Sequence, residues 1–339
     1  MTDRFTHGGD IPVRYDFSVN LNPLGMPDSA KAAYRGAEDE LDRYPDRHAS
    51  ELCRIISEKE GIPSEHILCG AGAADLIYRT VYAERPKKAF ILRPSFTEYE
   101  RALLSAGCEI QYAGKDISDK IQDDTDIVFV CSPCNPTGLR IPADMLIKLS
   151  EICRERGARL VIDESFIFFC EEGNPTDALV ENGAVIIRSL TKIYAMPALR
   201  VGYLVCKDSE FLERAALCGQ SWGIGTAAMR AAEAALGESG FERRTAGYIK
   251  QEREYLTDGL RSCGLTVFPS EVNFILVKTD LPLAEMLYGY DIAVRDCTDM
   301  FGEDGYFRIA VRTHEENKYL LEAVRRCTDP TGRDRKTEL

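Results

Sequence analysis

Short apolar runs punctuate the first two-thirds of the chain, at Ile67–Cys69, Ala89–Leu92, Glu109–Tyr112, Ile127–Cys131, Arg159–Asp163, Ala184–Ser189 and Val201–Cys206. Several are unbroken, as in Ile127-Val128-Phe129-Val130, which is how a strand buried on both faces reads. Between them lie stretches with helical spacing: Ala73–Ala83, Phe96–Ala106 and Pro142–Arg156. This alternation predicts an α/β fold whose large domain holds a mixed, mainly parallel seven-stranded sheet between helices. After about Gly240 the pattern changes. A long charged helix, Phe241–Cys263, leads to strands at Leu265–Phe268, Asn273–Val277, Ile292–Arg295 and Phe307–Val311, and a last helix covers His314–Cys327. That is the pattern of a smaller α+β domain. The expected division is an arm with part of the small domain (1–43), the large domain (44–235), the small C-terminal domain (236–328) and a frayed tail (329–339).

Charge and composition narrow the class. The 339 residues carry a formal net charge of −13, with 45% hydrophobic and 29% charged residues. That balance fits a soluble globular protein and disfavours broad binding to nucleic acid or anionic membrane. No apolar run approaches a membrane span, and the polar N-terminus lacks a signal-peptide stretch. Twelve scattered cysteines then read as reduced thiols of a cytoplasmic protein. Cys131 and Cys134 form a single C-x-x-C with no partner pair at metal spacing, so no metal site is expected.

Against this acidic background a few residues stand out at the ends of apolar runs. Lys192 follows a strand, with Ser189 three residues before it and Arg200 eight after. A lysine alone there reads as a surface charge, but a hydroxyl and a guanidinium on one loop can jointly hold a phosphate. Asp163 ends a buried strand, at the edge where open α/β sheets bind ligands. Its plain reading is a helix cap. Its alternative is a partner for a cofactor ring nitrogen. Asn135 sits in Asn135-Pro136-Thr137-Gly138, which is either an ordinary turn or a turn that presents an amide donor. Gly70-Ala71-Gly72-Ala73-Ala74 joins a strand to a helix, where free N–H groups suit a phosphate. It lacks the G-x-G-x-x-G pattern, so alone it is weak.

In this order, Gly72, Ala73, Ala74, Asn135, Asp163, Ser189, Lys192 and Arg200 resemble the fold-type I pyridoxal-5′-phosphate (PLP) enzymes of the aspartate aminotransferase superfamily. The resemblance spans nearly the whole chain and is most specific at the N-P-T-G and A-x-L-R-x-G runs. It implies PLP as cofactor, held by Lys192 as a Schiff base, with Asp163 at the ring nitrogen and Asn135 at the ring oxygen. It implies that the phosphate is held by Ser189, Arg200 and the backbone of Ala73 and Ala74. It further implies a homodimer in which Tyr44, in a segment similar to histidinol-phosphate aminotransferases, reaches the other subunit's phosphate. Arg308 matches the arginine that pairs with a substrate α-carboxylate.

One position departs from the pattern. Many family aminotransferases place a tyrosine three residues after the aspartate, where this chain has Phe166. The stretch from His7-Gly8-Gly9-Asp10 to Asn20-Leu21-Asn22-Pro23-Leu24-Gly25 is similar to threonine-phosphate decarboxylases of cobalamin biosynthesis, as are Phe166 and Ile292–Cys297. That resemblance implies decarboxylation of L-threonine O-3-phosphate, or of L-serine O-phosphate, with Asn20 binding substrate and His7 and Arg295 on the substrate phosphate. The rival is an aminotransferase of the histidinol-phosphate class. A PLP-binding transcriptional regulator is disfavoured by the acidic charge and by the absence of an added DNA-binding region.

Overall fold

The computed structural model describes residues 8–114 and 117–329; His7 and the tail from 330 onward lie outside the described residues. A two-residue strand, β1 (Tyr15–Asp16), precedes seven strands that make one sheet: β2 (Ile67–Gly70), β3 (Lys88–Leu92), β4 (Glu109–Ala113), β5 (Ile127–Cys131), β6 (Arg159–Asp163), β7 (Val185–Ser189) and β8 (Gly202–Val205). Their order in the sheet is β2-β8-β7-β6-β5-β3-β4. Only β8 runs against its neighbours. The expected mixed, mainly parallel sheet of seven strands is what the chain forms.

Side chains alternate across this sheet as a pleat requires. Val128 and Val130 pack into one core with Ile162, Ile186 and Val205, beneath helices 143–155 and 226–236. Phe129 and Cys131 face the opposite core with Val161, Ile187 and Leu204, beneath helices 72–84, 98–105 and 209–217. Both faces of β5 are therefore dry, which explains its unbroken apolar run.

The C-terminal strands are β9 (Thr266–Val267), β10 (Phe274–Lys278), β11 (Ile292–Ala293), β12 (Arg295–Asp296) and β13 (Tyr306–Ala310). An antiparallel sheet of order β12-β13-β10-β9 gathers four of them. The strand expected over Ile292–Arg295 is split. Its first half, β11, pairs in parallel with β1 of the N-terminal arm, and β12 turns to join β13. An unseen partner from the other end of the chain divides one apolar run between two sheets. The helix expected over Phe96–Ala106 is also shorter, covering Glu98–Ser105, and this frees Phe96 to face the cavity described next.

Candidate active site

The carboxyl ends of β5, β6 and β7 carry Cys131, Asp163 and Ser189 to one edge of the sheet. Because β8 runs the other way, Gly202 at its start arrives at the same edge, opposite Gly70 and Ser189. A cavity of about 350 Å³ opens there, walled on the far side by the arm and by the antiparallel sheet.

Asp163 lies buried in its floor. The Tyr99 hydroxyl donates to Oδ2 at 2.6 Å and the Ser165 N–H donates to Oδ1 at 2.8 Å. Burial pushes the carboxyl above its ordinary range, and these two donors and the nearby Lys192 pull it back. Tyr99 itself is fully buried, stacked on Phe129 at 5.2 Å, and burial holds its hydroxyl protonated as a donor.

Lys192 stands on a four-residue helix, Leu190–Ile193, whose N-cap is Ser189. The Ser189 hydroxyl accepts from the Thr191 N–H and lies 2.7 Å from the Thr191 hydroxyl. Desolvation, then the guanidiniums of Arg308 and Arg200, push the Lys192 ammonium down to about 8, against the pull of Asp163. An amine tuned toward neutrality is a better nucleophile than a surface lysine.

Beside it the strand-to-helix turn is bare. Gly72 has φ +84°, and a Cβ there would sit 2.7 Å from Arg200 Nη2. A Cβ on Gly202 would sit 3.1 Å from the Gly72 carbonyl carbon and 3.2 Å from Ala73 N. Two glycines thus let β8, the turn and the Arg200 guanidinium close on one another. Asp75 steadies the turn by accepting from Ala71 N at 2.8 Å. The result is a cradle of backbone N–H groups, a hydroxyl and a guanidinium, which is the donor set of a phosphate site.

The opposite wall is cationic. Arg308 on β13 donates through Nη1 to Asn135 Oδ1 and through Nη2 to the Ser18 carbonyl at 2.6 Å. Arg295 on β12 is its cross-strand partner, and both side chains line the cavity. Arg295 Nη2 pairs with Asp299 at 2.6 Å. Asn20 is buried in the cavity lining, and its Oδ1 has no hydrogen-bond partner. Phe166 packs edge-on against Phe274 at 5.0 Å and presents no hydroxyl.

Comparison with known proteins supplies a name for this arrangement. The aminotransferase class I and II family model matches residues 14–324. The chain belongs to that family. Its enzymes depend on PLP, and the chain has the fold-type I transferase fold. Threonine-phosphate decarboxylase of Salmonella typhimurium is 35% identical over 327 residues, covering 91% of this chain and 90% of that protein. The adenosylcobalamin biosynthesis bifunctional protein of Leptospira interrogans is 33% identical over 338 residues, which is 91% of this chain and 38% of that longer protein. The crystal structure of histidinol-phosphate aminotransferase from Clostridium acetobutylicum superposes with a TM-score of 0.86 at 28% identity, covering 93% of this chain and 99% of that one.

The cavity fits the family's cofactor. The cradle would take its phosphate, Lys192 its aldehyde and Asp163 its ring nitrogen, and Asn135, whose Oδ1 accepts from Arg308, would keep its Nδ2 as a donor for the ring oxygen. Ala73, Ala74, Asn135, Asp163, Phe166, Ser189, Lys192 and Arg200 all line it, as do Asn20, Arg295 and Arg308, with Gly72 directly behind Arg200. Tyr44 does not. It is 79% exposed and stacked on Trp222 at 4.4 Å, outside its own chain's cavity. His7, expected at the substrate phosphate, lies outside the described residues.

Phe96, Tyr99 and Gly202 were given no role in the sequence reading. Phe96 faces the cavity and meets Tyr99 edge-on at 5.9 Å. Tyr99 sits three residues further on, one helical turn away, and holds Asp163. An aromatic pair at the start of a helix reads as core packing, so no local signal separates it from the hydrophobic set around it. Gly202 lies inside the A-x-L-R-x-G run, and a glycine opening a strand was its one available signal.

Proposed function

We propose that this chain removes CO2 from L-threonine O-3-phosphate, with L-serine O-phosphate as the neighbouring substrate, to give an amino-alcohol phosphate for the nucleotide loop of a cobamide. One observation carries this: Arg295 and Arg308 face the same cavity from directly opposed positions on adjacent strands. Like charges in that register are unfavourable unless anions offset them. Asp299 offsets part of the Arg295 charge, and an amino acid that carries both a carboxylate and a phosphate supplies two further anions. The similarity to a decarboxylase, and to a protein named for adenosylcobalamin biosynthesis, supports the same reading.

In this reading Lys192 and Asp163 anchor the cofactor at its two ends. When bound, PLP supplies an electron-accepting ring that stabilises negative charge at the substrate Cα. Arg308 takes the α-carboxylate in a forked contact and Arg295 takes the phosphate, with His7 as a further phosphate ligand. Asn20 Oδ1 accepts from a substrate donor. Together they choose which Cα bond stands across the ring, and alignment of the carboxylate bond selects decarboxylation over amino transfer. Lys192 Nζ then returns a proton to Cα. Tyr44, exposed beside Trp222, completes the cradle of a second copy in a homodimer. Twelve unpaired cysteines suit a cytoplasmic setting.

A second reading, amino transfer on histidinol phosphate, rests on the structural similarity to such an enzyme. Supplying the purified holoenzyme with both phosphorylated amino acids separates the two. CO2 released in step with the amino-alcohol phosphate is the expected result. Glutamate formed from oxoglutarate and histidinol phosphate, with no CO2 from either phosphorylated amino acid, would transfer the chain to the second reading.

A further inference from the structure

We propose that Asn22 is a positioning residue for Lys192, supplying the hydrogen bond that the helix bearing the lysine cannot make for itself. The proposal rests on Lys192 being the cofactor-bearing amine. A helix of four residues leaves its last carbonyls to find partners outside it. For the Ile193 carbonyl the donor due four residues on is residue 197, and that residue is proline, which has no N–H. The Met196 N–H, three residues on, is committed to the Thr191 carbonyl at 3.1 Å. Asn22 fills the gap from the far end of the chain. Its Nδ2 donates to the Ile193 carbonyl at 2.7 Å and to the Thr245 hydroxyl at 2.8 Å. Its backbone N–H donates to the carbonyl of Lys192 itself at 3.1 Å.

Asn22 is buried and held rigidly in turn. Its Oδ1 accepts from Leu24 N at 3.0 Å, and its carbonyl accepts from Gly25 N at 3.1 Å. Gly25 has φ +76°, which the turn requires and glycine permits. The Asn-Pro-Leu-Gly run therefore acts as a bracket. Four residues earlier the same segment lends its Ser18 carbonyl to Arg308. One strap thus touches the lysine helix at one end and the carboxylate-binding arginine at the other.

A direct test compares Asn22→Ala, Asn22→Ser and Thr245→Val holoenzymes. The readouts are the pH titration of the visible cofactor absorption, the rate at which apoenzyme recaptures PLP, kcat with KM, and the melting temperature. Losing a donor to a buried acceptor should slow recapture and lower kcat about ten-fold in Asn22→Ala. The absorption titration should move, with KM near the wild-type value. Asn22→Ser, which keeps a small donor, should fall between. Thr245→Val leaves the Ile193 bond in place, so it should lower the melting temperature without moving the titration. The proposal is overturned if the Asn22 variants titrate and turn over like wild type, or move no further than Thr245→Val. Should Asn22→Ala fail to fold, the contrast of Asn22→Ser with Thr245→Val decides alone. Failure of the underlying reading looks different: wild-type protein would then gain no visible band that Lys192→Ala abolishes.

Discussion

Arg308 Nη1 donates to Asn135 Oδ1, joining two residues 173 positions apart across the candidate active site. The bond engages the oxygen of the Asn135 amide, and it ties the arginine that would hold the substrate to a residue that would hold the cofactor. Arg308→Lys keeps the charge and loses the fork. Its expected result is a rise in amino-acid KM of about two orders of magnitude, since truncating one side of a buried charged contact costs about 2–5 kcal/mol. The visible cofactor absorption should survive. Steady-state kinetics beside the absorption spectrum check both statements, and an unchanged KM would remove Arg308 from the substrate's carboxylate.

Lys192 gives a pH prediction. Its ammonium is lowered from 10.5 to about 8, with desolvation the largest cause, so folding raises the share of neutral amine at any given pH. Capture of PLP by apoenzyme should therefore quicken about ten-fold per pH unit below that value and level off above it. The sign for stability follows from proton linkage. Between about 8 and 10.5 the unfolded chain holds the extra proton, so this group makes apoenzyme stability rise with pH across that window. Below it the penalty is present in full. Stopped-flow mixing over a pH series measures the first effect, and a rate that stays flat across pH 7 to 9 would contradict the assignment.

Phe166 lies three residues after Asp163, where the family resemblance leads one to expect a tyrosine. In Phe166→Tyr the new hydroxyl would donate to the deprotonated ring oxygen and stabilise it. The visible absorption should then titrate about one unit lower, the size expected of one hydrogen bond to a charged acceptor. The ring already packs against Phe274, so little else should change. A spectrophotometric titration of the holoenzyme reads the shift, and an upward move would place the position 166 side chain elsewhere than at the ring oxygen.

Gly72 has φ +84° and is covered by the Arg200 guanidinium. Gly72→Ala forces a side chain into the left-handed region and displaces Arg200, at a cost of about 1–2 kcal/mol from the backbone alone. The melting temperature should fall by about 1–3 degrees, and PLP affinity should fall further because the displaced group belongs to the cradle. Calorimetry of apoenzyme and holoenzyme separates the two losses. Equal losses in both forms would mean that the cradle does not hold the phosphate.

Much of this was legible along the chain because its causes are local. An unbroken run such as Ile127–Val130 reads as a strand with two dry faces. Ser189, Lys192 and Arg200 lie on one short segment of chain, and Gly72, Ala73 and Ala74 are consecutive at the start of one helix. The strand at 292–295 was less legible, because its division depends on β1, which arrives from the opposite end of the chain. Tyr99 was illegible, since its pattern is that of any buried aromatic until Asp163 is seen 2.6 Å away.

The amino-acid order by itself determined the alternation of strands and helices, which is written in spacings of a few positions, and its resemblance to a known family implied the cofactor and the residues that would hold it. Only the tertiary structure decided that Arg295 stands opposite Arg308, that Asn22 closes the helix of Lys192, and that Tyr99 reaches Asp163. Those are meetings between distant segments. Their register is set by which buried faces and unpaired backbone groups can be satisfied together once the whole chain has packed.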